Sequence, residues 1–170
     1  AWDRPADQLV RNRVVLGTEI ETRITAANGI EQCGETTVNL SALEVAFLRR
    51  EIARHPVNLL AACARGELRF RPVAQRTVGD RDLMILEAVS AESDRLRIHL
   101  DTVSHLIRVV EAWETKSDGA AAHLRDAWTD YRDVAGIRVP FRRITELDDG
   151  RSRIEAIYSQ AAHGPEAEEA

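Results

Sequence analysis

The sequence predicts a mainly β, α+β chain: one compact, mostly antiparallel domain with a short helical insert. Two observations carry this. Apolar residues alternate with polar ones at a period of two over most of the chain, and turn residues recur at short, regular intervals, leaving no room for the long crossovers of a parallel sheet. A third observation confines helix to one block, because helical spacing of apolar residues occurs only between Ser41 and Arg65.

In chain order, residues 8–16 and 18–25 read as a strand pair around Gly17, with Ile20, Thr22 and Ile24 on one face of the second strand. Asn28-Gly29 reads as a hairpin turn, since both residues tolerate positive φ, and a short strand follows through residues 37–40. Ser41 and Glu44 have capping-box spacing. Leu43, Phe47, Leu48 and Ile52 then recur at helical intervals until His55-Pro56. A second short helix over 57–65 presents Leu59, Leu60 and Cys63 and stops at Gly66. Seven further strands are predicted at 68–75, 83–89, 95–101, 106–115, 123–133, 137–146 and 151–158. Turns at Gly79-Asp80, residues 92–94, Asp118-Gly119, Ala135-Gly136 and Asp149-Gly150 separate them into a meander. One domain therefore spans 1–160 with its helical insert at 41–65, and residues 161–170 read as a disordered tail or linker.

A chain of 170 residues buries enough apolar surface to fold without disulfides or metal. Its formal charge is −5, with acidic and basic residues mixed along the whole length, which argues against a dedicated nucleic-acid or anionic-membrane surface. No apolar run reaches the length of a membrane helix, and no charged-then-apolar signal segment opens the sequence. Cys33 and Cys63 lack zinc-site spacing and fit either one bridge or two small core residues.

Catalytic motifs are missing. The histidines at 55, 99, 105, 123 and 163 are scattered, and no nucleophile elbow, phosphate loop or dinucleotide fingerprint occurs. No catalytic residue, metal ligand or cofactor is assigned, and the chain is read as non-enzymatic. His99 and Asp101, two apart on one predicted strand, share a face and would allow a hydrogen-bonded pair. Asp80, Asp82, Asp130 and Asp133 fall in or near turns, where carboxylates accept local backbone hydrogen bonds. The large apolar residues Phe47, Leu48, Leu59, Phe70, Trp113 and Trp128 are candidates for an apolar cleft between sheet and helices, as against an ordinary sheet-on-helix core.

Residues 100–111 and the run 128–142, above all Asp130-Tyr131-Arg132-Asp133-Val134, Gly136, Val139 and Pro140, resemble outer-membrane lipoprotein-sorting-like proteins of bacteria. Similar segments occur as non-catalytic domains attached to insulinase-type peptidases and metallo-β-lactamase-fold hydrolases. The resemblance covers roughly 66–160. It departs at the turn after Asp101, where Val103-Ser104 replace the expected glycine, and the zinc-binding elements of the neighbouring hydrolases are absent. It implies a curved antiparallel sheet or open half-barrel whose concave face is covered by the two helices. It also implies non-catalytic binding of an acyl chain or other apolar small molecule, with lipid or lipoprotein transport in the periplasm or cell envelope. The alternative it implies is an accessory or substrate-positioning domain, whose partner would be a catalytic domain or chain of a metallohydrolase.

Overall fold

The computed structural model describes residues 2–3, 8–15, 18–25, 28–89, 95–115, 121–148 and 150–158, with side chains from residue 18 onward except at 89 and 115. The expected turns at Gly17, 92–94, Asp118-Gly119 and Asp149, and the expected tail at 161–170, lie outside the described residues. The chain divides after His55 into two compact units.

The first unit is an antiparallel meander of β1 (Trp2–Asp3), β2 (Gln8–Val15), β3 (Thr18–Thr25), β4 (Gly29–Cys33) and β5 (Thr36–Asn39), followed by α1 (Ala42–Ala53). Thr22 and Ile24 are buried on one face of β3, as the alternation predicts. Helix α1 begins in a capping box: the Ser41 amide donates to Glu44 Oε2 at 2.8 Å, and the Glu44 amide donates back to Ser41 Oγ at 3.3 Å. Its Val45 and Ile52 then pack on Ile24, with Leu40 and Leu48 at the margin.

One turn is corrected. Gly29 is the buried first residue of β4 and pairs with Ile24, so the β3–β4 reversal closes just before it, the Thr25 amide donating to Asn28 O at 2.7 Å. A further hairpin turns at Gly34-Glu35, where Gly34 has φ 57°. Gly29 is required by close packing: a Cβ there would lie 2.8 Å from Val45 Cγ2 and 2.9 Å from Leu40 Cδ1.

The second unit opens with α2 (Pro56–Ala64). Its proline occupies the first helical turn, where a missing N–H costs nothing. A Schellman pair ends it, with the Gly66 amide donating to Cys63 O at 2.9 Å and the Glu67 amide to Ala62 O at 3.0 Å. Seven antiparallel strands follow: β6 (Arg69–Val78), β7 (Arg81–Val89), β8 (Arg95–Asp101), β9 (Ile107–Thr115), β10 (Ala121–Val134), β11 (Ile137–Leu147) and β12 (Ser152–Ile157). They form one open sheet in the order β12-β11-β10-β9-β8-β7-β6, each strand beside its chain neighbour. Bulges interrupt the register at Pro72/Ala74 and at His99/Leu100, the devices that bend strands and sharpen twist. The β10–β11 turn has positive φ at both Ala135 and Gly136, the geometry a two-residue hairpin favours.

Both cysteines are free thiols; Cys33 is exposed, and Cys63 is half-buried, which pushes its thiol pKa up.

Replacing Gly29 with alanine is expected to destabilise the first unit by about 1–3 kcal/mol through overpacking, with part of the loss recovered when Val45 is also cut to alanine. Chemical denaturation of the two variants checks this. Equal loss in single and double variants would place the strain elsewhere.

Candidate functional site

The two faces of the seven-stranded sheet differ in their long rows, and the register shows how. On one face, Ala88, Leu96, Ala112, Leu124 and Leu147 stand opposite one another across five strands, and Leu86, Ile98 and Val110 form the neighbouring row. Leu59 of α2 packs into this surface, and Trp128 is wholly buried in it. Leu68, Phe70, Leu100, Tyr131 and Tyr158 make a part-buried apolar fringe. Tyr131 reaches it because Asp130 takes φ 52°, a conformation aspartate tolerates. Its hydroxyl donates to Ile107 O, and burial pushes its pKa up.

Polar groups enter this face at Glu114 of β9, which is buried opposite Ala122, and on β10 and β11. The Thr145 hydroxyl donates to Asp126 Oδ1 at 2.5 Å, and the guanidinium of Arg143 lies 5.6 Å from the Trp128 ring centre. Asp126, Arg143 and Thr145 are buried as well.

The six residues singled out for an apolar cleft fall in three places. Leu59, Phe70 and Trp128 meet on this apolar face. Trp113 lies on the opposite face, stacked on His123 with ring centres 4.9 Å apart. Phe47 and Leu48 belong to α1 in the first unit, Phe47 exposed and Leu48 against the Ile24 cluster.

The second face carries a row of alternating charge across every strand: Arg71, Glu87, Arg97, Glu111, Arg125, Glu146 and Arg153 stand in register from β6 to β12. Glu87 is buried among three guanidiniums. It pairs with Arg71, with Arg95 at 2.7 Å and more distantly with Arg97 at 3.8 Å, and Arg71 and then Arg95 hold its pKa down to about 2. Arg125 reaches Glu146 at 3.0 Å. Arg95 and Arg97 also lie over the Trp113 ring, at 5.4 and 5.1 Å.

His99 and Asp101 do not pair. His99 is buried with Nε2 3.5 Å from Glu111 Oε1, and burial holds its pKa below the ordinary histidine range. Asp101 instead caps the turn after β8, accepting from the Ser104 amide at 2.9 Å and the Val103 amide at 3.1 Å. These bonds, with Arg108 at 3.3 Å, hold its pKa down to about 2. The left-handed residue of that turn is His105, with φ 56°, one position beyond the Val103-Ser104 pair.

Three solved structures share this architecture. One is a LolA superfamily protein from Nitrosomonas europaea, at 13% identity and a TM-score of 0.52, covering 96% of this chain and 82% of its own. The chain has a LolA-like fold. The same LolA-like arrangement matches an outer membrane lipoprotein-sorting protein domain from Vibrio parahaemolyticus, at 12% identity and a TM-score of 0.54 over 93% of this chain and 72% of the other. It also matches a DUF1329 family protein from Desulfovibrio piger, at 14% and 0.58 over 96% and 69%. No family model and no curated protein matches the sequence. No described helix of this LolA-like chain is long and apolar enough to cross a membrane.

Because the folded pKa of Glu87 lies below its ordinary 4.5, the pairing stabilises the sheet above that value and is lost as pH falls toward about 2. In urea titrations, the stability gap between wild type and Glu87→Gln is expected to close as pH is lowered from about 5 to about 2. A gap that stays constant would show that the carboxylate charge is not what the site uses.

Proposed function

We propose that this chain is a non-catalytic carrier of an acyl chain or similar apolar ligand, acting in the periplasm or cell envelope. The observation that carries the reading is the part-buried apolar fringe, with Phe70, Leu86 and Leu100, that borders the buried face beside the short helix α2. Seven strands span about 29 Å across, while the nine residues of α2 make a rod of about 14 Å. Among the described residues of that unit, no other helix is available to cover the face. An acyl chain laid along the fringe of Phe70, Leu86 and Leu100 would gain about 0.8 kcal/mol for each methylene it buries. Leu59, Phe70 and Trp128 are the contacts we assign to it. Phe47 and Leu48 of α1 are retained as candidate ligand contacts.

The fold shared with a LolA superfamily protein and a lipoprotein-sorting domain supports this reading.

The two sheet tryptophans give an internal test, because they lie on opposite faces of one sheet. In a Trp2→Phe background, a brominated fatty acid is expected to quench Trp128 emission saturably in the Trp113→Phe variant. It should leave Trp113 emission unchanged in the Trp128→Phe variant. Phe70→Ala should weaken the quenching several-fold while the far-ultraviolet circular dichroism stays native. Failure to quench Trp128 in a folded protein would sink the carrier reading and leave the accessory-domain alternative.

A further inference from the structure

We propose that the charged face of the seven-stranded sheet holds a second binding site, for a small organic oxyanion carried on a short apolar body. The structure assigns the anion to Arg76 and Arg97. The site is a depression of about 290 Å³ lined by Val73, Ala74, Arg76, Ile85, Arg97, His99 and Glu111. It opens at the edge strand β6, where the bulge at Pro72/Ala74 leaves Val73 outside the ladder. Bulges of this kind accompany sites because they re-aim side chains and end local pairing.

Charge balance identifies the ligand. The one carboxylate of the lining, Glu111, is turned to His99, with Oε1 3.5 Å from Nε2. Arg76 has no carboxylate or hydrogen-bond partner among the described residues, and the Nε of Arg97 is buried without an acceptor, its nearest carboxylate being Glu87 at 3.8 Å. His99, nine-tenths buried, also lines the depression, its Nε2 facing Glu111 Oε1 at 3.5 Å.

Two guanidiniums with spare donors thus flank a floor of Val73, Ala74 and Ile85. Guanidinium forks match the geometry of carboxylate and phosphate oxygens, and the apolar floor suits a short hydrocarbon. Two sources offer this chemistry: a free short-chain acid, or the head group of an anionic lipid. The site lies on the face opposite the one we assign to an acyl chain, so it stands whether or not the carrier reading holds.

Sodium hexanoate titrated into isotopically labelled protein, followed by NMR at the His99 imidazole and the arginine Nε–H groups, tests the proposal. A saturable shift is expected, and Arg76→Gln should weaken binding about tenfold or more while the protein stays folded, since Arg76 is exposed and holds no structural partner. Neutral hexanamide and sodium chloride should not reproduce the shift. Equal shifts with hexanamide, equal affinity in Arg76→Gln, or the same response to chloride would overturn the proposal, the last meaning an adventitious ion only. Flotation with phosphatidylglycerol vesicles separates the sources: Arg76-dependent flotation points to a lipid head group, and hexanoate binding without flotation points to a free acid.

Discussion

The architecture of the second unit depends on register. Its strands carry an apolar row and a charged row one residue out of step, so the same pairing that sets Leu96 opposite Ala112 sets Arg97 opposite Glu111. A slip of one residue would turn Leu96 and Ile98 to solvent and bury Arg97, losing several kilocalories of apolar transfer and stranding a charge. A slip of two residues is the subtler hazard, because it keeps every apolar side chain inside. There the charged row acts: such a slip sets Arg97 opposite Val109 or Trp113. Each exposed pair contributes only about 0.2–1 kcal/mol, yet seven strands locked in one alternating series resist slippage together.

Most of the fold could be read before register was known. Strands such as β8 and β11 were recognisable because turn residues bracket them and their alternation is regular. Helix α1 announced itself through Ser41 and Glu44. The misreading at Gly29 has a specific cause: glycine serves both for positive φ and for close approach, and sequence does not say which. Here Val45 and Leu40 occupy the space a side chain would need.

The candidate site was less accessible to sequence, for the same reason that register controls it. Trp113 and Trp128 lie on neighbouring strands, and only the pairing of Trp113 with His123 shows that they face opposite ways. His99 and Asp101 are two apart on one strand, but same-face placement does not bring polar atoms into contact. Each found a nearer partner, Glu111 for one and the turn amides for the other. The alternating charges were visible as scattered residues. They became a row only when seven strands were aligned.

On the carrier reading, the apolar face also has a direction. The row Leu86, Ile98, Val110 continues across β10 and β11 as Asp126 and Thr145, and beside them Arg143 lies against Trp128. These groups are buried and held by hydrogen bonding and ring contact, so they form a fixed polar step rather than a surface that adapts to hydrocarbon. An acyl chain crossing that step would desolvate it without replacing its partners, which costs more than a few methylenes return. The favourable path therefore runs over Leu86, Ile98 and Val110, where the floor is aliphatic and Phe70 borders it, clear of the buried Glu114 farther along β9. Trp128 stands at the boundary between the two regions, its ring facing the apolar cluster on one side and Arg143 on the other.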